Sequence, residues 1–512
     1  MKILFQTILL AIPLFYLVHA RTPEEWRSRR IYQILTDRFA RSDGSTEPCP
    51  DLGKYCGGTW KGIMNHLDYI QGMGFNAIWI SPIQENGPGG YHGYWCSNFY
   101  KINGNFGTEQ DFKDLVSACH ERDIWIMVDV VPNHVSYVQE NIKDTTANDY
   151  SKIFPFDKTE YFNPFEQTCI DVDKKHQGNN RTALETCWLQ WLPDLNQRHP
   201  FVRQQLLEWV NWLIQTYHID GLRVDAVRHI PVDFCKEFQE ASGVYNVGEL
   251  FNDGVAINAE YQQAVGSMLN FPLNARLYHT YVKDAPMSMF AKYYEEAFAT
   301  WPDITVLTNF MDNHDIPRFL YQRDDMNAFK ATLIFTIVSV GIPAVYYGDE
   351  QGFRGGDDPQ NRETLWGHMK TDSDLYQFIK ALNEFREKTN LDKLDQTQRD
   401  FDDEFYSFSR GKFFFVFTNS PQMLSKTISN HPYKDGDWLC DFFNPKECIQ
   451  VENGEFVVVL QNKESRILVP AEFLENQSVV SKAWKNVQGI WNNIANLEVT
   501  KLVHNFDPFR SE

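Results

Sequence analysis

The chain has 512 residues, of which 43% are apolar, 23% charged and 15% aromatic. That composition excludes disordered, collagen-like and coiled-coil proteins and predicts a globular chain of roughly two to four domains. Its 68 acidic against 48 basic side chains leave a formal charge of −20, which repels phosphate backbones and anionic lipid and argues against nucleic acid as a partner.

At the N-terminus, Lys2 precedes an apolar run from Ile3 to Val18 that contains Pro13, and Val18-His19-Ala20 places small residues where a signal peptidase reads. Residues 1–20 are therefore expected to be a signal peptide cleaved after Ala20, since the run is short for a membrane span. No later apolar stretch is long enough to span, and Asp507 to Glu512 lack the hydrophobic tail of a lipid-anchor signal, so the mature chain is expected to carry no membrane anchor.

The secretory route permits disulfides, and the nine cysteines include three close pairs, Cys49/Cys56, Cys169/Cys187 and Cys440/Cys448. Cys96, Cys119 and Cys235 remain over; the odd total requires a free thiol or an intermolecular bond, and spacing alone leaves the connectivity open. Asn180 and Asn476 open glycan acceptor triplets and should face solvent if used.

Short β-rich runs separated by helical patterns then recur eight times, at Ile31–Thr36, Asn76–Ile80, Ile124–Val130, Ile219–Asp225, Val244–Gly248, Ser267–Phe271, Thr305–Asp312 and Pro343–Tyr347. Eight such units close most economically into an α/β fold, a (β/α)₈ TIM barrel, assigned here to residues 21–134 and 197–390. The polar stretch between the third and fourth runs is too long for a βα loop and predicts an inserted small domain over 135–196. From 391 to 512 alternating strands such as Phe413–Phe417 and Phe456–Leu460 predict a C-terminal antiparallel β-domain, a sandwich.

Reactive groups of such a barrel gather at the C-terminal ends of its strands. Three acids stand there: Asp225 closes Gly221-Leu222-Arg223-Val224-Asp225, Glu249 closes Val247-Gly248-Glu249, and Asp315 follows Asp312-Asn313-His314. One such acid alone reads as a salt bridge or helix cap; three together, flanked by Arg223, His229 and His314, fit acetal chemistry. An acid must protonate the departing oxygen and a carboxylate must meet the anomeric carbon. Arg223 is expected to keep Asp225 ionised, and the apolar neighbours Val247 and Leu250 to keep Glu249 protonated.

These segments resemble the α-amylase family of glycoside hydrolases, most closely its secreted fungal members. Asp129-Val130-Val131-Pro132-Asn133-His134, Gly221 to His229, Gly248-Glu249 and Asn313-His314-Asp315 look like the family's four signatures in order. Cys56-Gly57-Gly58-Thr59-Trp60, Tyr91-His92-Gly93-Tyr94-Trp95, Leu192-Pro193-Asp194-Leu195 and Asp358-Pro359-Gln360-Asn361-Arg362 also match fungal-type segments. The resemblance covers residues 30 to 385 well and the β-domain loosely. It implies Asp225 as nucleophile, Glu249 as general acid/base and Asp315 as transition-state stabiliser. His134, Arg223, His229 and His314 would surround the cleaved glucose, Tyr94 would stack on it beside His92 and Trp95, and Asp358 and Arg362 would hold the next units toward the non-reducing end. It also implies Ca²⁺, held by Asn133, Glu185, Asp194 and the carbonyl of His229, an all-oxygen set that suits a hard cation.

Arg228 departs from the Lys usual in the second signature and bears on the acceptor side. The expected protein is a monomeric, secreted, retaining endo-hydrolase of α-1,4-glucans, with cell-wall or endoplasmic reticulum residence as alternatives. Its rivals are an α-glucan transglycosylase acting on wall glucan, motivated by Arg228, and a non-catalytic glucan-binding protein.

Overall fold

The computed structural model describes residues 21–138, 148–165 and 180–475. The expected signal peptide, Cys169 and Asn476 lie outside the described residues.

Eight parallel strands appear where the sequence predicts them: β1 (Ile31–Ile34), β2 (Ala77–Ile80), β3 (Trp125–Val130), β4 (Gly221–Val224), β5 (Tyr245–Gly248), β6 (Ser267–Met268), β7 (Thr308–Asn309) and β8 (Ile342–Tyr346). They pair in the order β6-β5-β4-β3-β2-β1-β8-β7. The remaining seam is bridged where Leu269 pairs with Thr308 and the Asn270 N–H donates to the Thr308 carbonyl (2.8 Å), which closes the barrel. Several strands are shorter than predicted; the run 305–312 yields only two strand residues because Ile304–Val306 coils into a 3₁₀ turn.

Alternation along each strand decides what faces the barrel axis. Ile31, Ala77, Trp125, Met127, Tyr245, Val247, Ile342 and Ala344 fill the interior, while Tyr32, Ile34, Ile78, Ile80, Ile126 and Val128 join the larger core under the helices. Trp26, from the short helix Pro23–Trp26, belongs to the interior cluster, stacked on Tyr245 (5.1 Å) and edge-on to Trp125 (5.2 Å). Gly221 makes room for it: a Cβ there would sit 2.7 Å from the Trp26 ring. The same alternation carried toward the strands' C-terminal ends turns Gln33, Asp129, Arg223, Asp225 and Glu249 inward, so the polar layer of the barrel continues the apolar one.

A hairpin (Gln84–Asn86 with Cys96–Ile102) follows β2 and presents residues 91–95 at its turn. Within 135–196, Asp194 pairs with His134 and Leu195 with Phe162, fastening the insertion to the end of β3. The C-terminal region forms a six-stranded antiparallel sheet and a two-stranded one. Phe414 and Val416 face the core between these sheets, whereas Phe413, Phe415 and Phe417 face the barrel helices, so the run Phe413–Thr418 is apolar because both its faces are covered.

Of the three expected cysteine pairs, Cys49–Cys56 and Cys440–Cys448 are disulfides, while Cys96, Cys119 and Cys235 are buried thiols. The third expectation, Cys169/Cys187, differs from these two because the described residues hold only one end of it. Cys187 caps the short helix Arg181–Thr186, is buried beside Leu184 and is disulfide-bonded; Cys169 lies outside the described residues. Among the described residues no helix is long and apolar enough to cross a membrane.

Candidate active site

Asp225 and Glu249 each extend the strand before them by one residue: the Asp225 N–H donates to the Val130 carbonyl and the Glu249 N–H to that of Val224, both at 2.9 Å. Arg223, 1% exposed, lies between them. Its Nη1 donates to Asp129 Oδ1 (2.9 Å), Asp129 Oδ2 (3.0 Å) and Asp225 Oδ1 (2.7 Å), and its Nη2 lies 2.8 Å from Glu249 Oε1. Glu249 Oε2 accepts from the backbone N–H of Ala226 (3.0 Å), a residue held at φ 51°, in the left-handed region.

Three carboxyl groups thus share one guanidinium, and burial raises the cost of their charge. Asp225 is pushed well above the ordinary carboxylate range by burial, which Arg223 opposes and Glu249, Asp129 and Asp315 reinforce. Burial likewise lifts Asp129 to about 6 against the pull of Arg223. One expectation holds and one changes here. Arg223 contacts Asp225 as expected, and its cation opposes the burial that raises that carboxyl; Glu249 sits against a cation and a backbone donor, not in the apolar setting that Val247 and Leu250 suggested.

Asp315 stands across from this cluster, with its side chain 31% exposed and Oδ2 3.2 Å from His314 Nε2. Tyr94, from the hairpin, connects the two sides: its hydroxyl donates to Asp129 Oδ2 (2.7 Å) and lies 2.7 Å from His314 Nε2. His92 stacks on Tyr94 (5.6 Å) and meets Trp95 edge-on (4.8 Å). Burial, with Arg362 and His314 nearby, holds the His92 ring well below the usual histidine range. Arg362 donates to the His314 carbonyl (3.0 Å), approaches Asp315 at 3.6 Å and pairs with Asp358 at 3.0 Å. The His134 ring is buried, its pKa lowered to about 3 by burial and by His229, against a backbone contact with Tyr94. Arg228 lies in the 3₁₀ turn Val227–His229, and one nitrogen of the His229 ring contacts the Leu184 carbonyl (3.1 Å).

Of the residues expected to hold calcium, three gather. One end of the Asn133 amide lies 3.0 Å from the His229 carbonyl oxygen and 3.3 Å from Asp194 Oδ1, and the other lies 3.1 Å from His134 Nδ1. With Oδ1 inward, amide, carbonyl and carboxylate form a cradle of oxygens. Asp194 is fully buried and its carboxyl is driven well above the usual range by burial, against a single hydrogen bond from Asn163 (2.7 Å). A buried carboxylate among acceptors suits a cation, so these residues fit Ca²⁺. Glu185 is also buried, but its carboxylate pairs with Arg198. Among the described residues no three His, Cys, Asp or Glu side chains gather as a metal site; the cradle depends on an amide and a carbonyl.

Three residues around the site have no role legible in the sequence. Gln33 reads only as a strand residue and Asp129 only as the opening of the first signature, with no contact assigned to it, although a polar side chain at an inward position of an apolar strand is an available signal. Phe251, two residues past Glu249, is 56% exposed and rests on buried Phe271 at 4.7 Å.

A closed (β/α)₈ barrel with carboxyl groups and a guanidinium at the C-terminal ends of its strands is the arrangement of a barrel glycoside hydrolase. The family description "Alpha amylase, catalytic domain" matches residues 33–404. "Alpha-amylase 1" of Lipomyces kononenkoae is 41% identical over 380 residues, 71% of this chain and 59% of that protein. "Alpha-amylase" of Saccharomycopsis fibuligera is 37% identical over 471 residues, 88% of this chain and 93% of that one. The solved structure of an alpha-amylase from Malbranchea cinnamomea superposes with a TM-score of 0.83 at 36% identity, covering 89% of this chain and 99% of that one. The chain belongs to the alpha-amylase family.

Proposed function

We propose that the chain hydrolyses internal α-1,4 bonds of starch- or glycogen-type glucans with retention of configuration. The observation that carries this reading is the single guanidinium whose two terminal nitrogens hold Asp225 and Glu249, with Asp315 on the opposite side beside His314. A retaining glycosidase needs two carboxyl groups about 5 Å apart, near enough to address one anomeric carbon. In the first step Asp225 Oδ attacks C1 while Glu249 gives its proton to the departing glycosidic oxygen. In the second, Glu249 takes a proton from water, whose oxygen attacks C1 and releases Asp225. Asp315, held beside His314, would bind sugar hydroxyls, and Arg362 with Asp358 would orient the preceding glucose. The opened chain should first appear as the α-anomer; a β-anomer by polarimetry or proton NMR of fresh digests overturns the reading.

Asn133, Asp194 and the His229 carbonyl would hold Ca²⁺, with Glu185 close by through Asn163, whose amide bonds Asp194 and reaches the Glu185 carbonyl at 3.5 Å. The ion supplies charge for a buried carboxylate and ties 135–196 to the barrel. A Cys169–Cys187 bridge would brace the same insertion from within. Cleavage after Ala20 and secretion complete the reading, with the barrel, insertion and β-domain divided at residues 134, 196 and 390. Asn180 is exposed and its Oδ1 caps Ala183, so a glycan on its Nδ2 would leave that cap in place.

One observation favours glucan transfer as a second reading. The exposed Phe251 ring, with Arg228 following Asp225, offers an acceptor sugar an apolar face that water does not use. Digestion of maltoheptaose separates the two: products longer than the substrate mark transfer.

A further inference from the structure

The proton on His314 can be assigned from its surroundings, and one residue outside the four signatures decides it. Tyr94 has one hydroxyl proton, which it donates to Asp129 Oδ2 (2.7 Å). Its oxygen therefore accepts from His314 Nε2, 2.7 Å away, so Nε2 carries hydrogen. The ring is kept neutral by burial and by Arg223 and Arg362, with Glu249 opposing, so Nδ1 presents a lone pair. The group facing that lone pair at 2.8 Å is the Gln33 amide nitrogen, a donor. Gln33 is 4% exposed and belongs to the inward layer of β1, in register with Trp79 and Tyr346.

We propose that Gln33 is a positioning residue, whose Nε2–H donates to His314 Nδ1, selects the Nε2–H tautomer, and so directs one proton toward Asp315 and Tyr94. In the opposite tautomer the Nε2 lone pair would face the Asp315 carboxylate at 3.2 Å. Tyr94 would then turn its proton to His314 and leave Asp129, which shares Arg223 with Asp225 and Glu249. The titratable groups facing His314 are Asp315 and Tyr94 in contact, with Arg223, Arg362, Glu249 and His92 acting through space. The effect on rate rests on the function proposed above; the tautomer itself does not.

Gln33→Met removes the donor at similar volume, and Gln33→Glu puts an acceptor with negative charge beside Nδ1. The parent, both variants and their melting temperatures are measured with maltoheptaose across pH. Gln33→Met should lower kcat about tenfold, as expected for loss of one buried hydrogen bond, with KM within about twofold. Gln33→Glu should stabilise the protonated ring and then lose Nε2–H as pH rises, giving a new descending limb near neutral pH that the parent lacks. Parental kcat and pH profile in both variants, even with altered melting temperatures, overturn the proposal. ¹⁵N-histidine NMR of the parent, with the His314 signal assigned by His314→Asn, should show a bare Nδ1 and a protonated Nε2; the reverse overturns it whether or not the variants fold. A parent that leaves maltoheptaose uncut sinks the proposed function instead, and the NMR result still reads the tautomer.

Discussion

Arg223 is the residue on which the site's electrostatics turn, because Asp129, Asp225 and Glu249 all reach it. With all three ionised the group would carry two uncompensated negative charges in a buried setting, so it retains a proton more readily than separate carboxylates do. Asp225→Asn and Glu249→Gln should each lower kcat on starch by about a thousandfold or more; retention of a tenth of parental activity would contradict the roles given. The electrostatics also predict a direction. The Glu249 carboxylate raises Asp225, so the neutral amide introduced by Glu249→Gln should let Asp225, the proposed nucleophile, ionise at lower pH. With a maltosyl fluoride, whose leaving group needs no acid, the acidic limb of Glu249→Gln should lie below that of the parent; an unmoved or raised limb contradicts the coupling. Phe251→Ala, removing an exposed ring on the Glu249 side, should cut the share of products longer than the substrate while leaving hydrolysis of short substrates within about threefold.

At the scale of elements, the insertion is fastened where its last residues meet the end of β3. The Asn163 N–H donates to the Asp194 carbonyl (2.9 Å), and the Leu195 N–H to that of Asn133 (2.9 Å). These bonds bring Asp194 to Asn133 and His229, although the three stand far apart in the chain. If the cradle holds calcium, EDTA should lower the melting temperature and restored Ca²⁺ should recover it; Asp194→Ala should melt at the lower value with or without the ion. Equal melting of the parent with and without EDTA would leave the cradle a hydrogen-bonded junction, with the Asn133 amide turned to donate.

For the whole molecule, the barrel and the C-terminal sheets are joined through the helix Met326–Val338, whose long apolar run is buried on nearly every side. Its C-terminal carbonyls would be orphaned there. Arg410, from the strand Phe405–Arg410, donates to the carbonyls of Val338 and Ser339 (both 2.9 Å), and Arg386 donates to those of Ile337 (2.7 Å) and Gly341 (2.6 Å). Two cations at a helix C-terminus also complement its dipole. Arg410→Ala should therefore destabilise the fold by about 3 kcal/mol, seen as a lower midpoint in guanidinium, with KM unchanged. A changed KM would mean that the sheets reach the site.

Much of this protein is legible in its chain because the relevant physics is local. Short β-rich runs separated by helical patterns mark the eight barrel strands, and the acids near their ends are visible as polar residues that follow apolar runs on the C-terminal side. What stayed hidden depends on which groups meet across the barrel. Val247 and Leu250 lie close to Glu249 in sequence, but Val247 sits one layer deeper in the barrel and Leu250 joins the core under the helices, so the neighbours of the Glu249 carboxylate are Arg223 and the Ala226 N–H. Gln33 reads as a lone polar residue in β1 until closure sets it against His314, 281 positions away. The amino-acid order by itself determined the barrel, the strand-end acids and the family; closure alone decided who shares Arg223 and where the proton of His314 lies. Strand periodicity acts over a few residues, whereas charge and hydrogen bonding act over a few ångströms, whatever the separation along the chain.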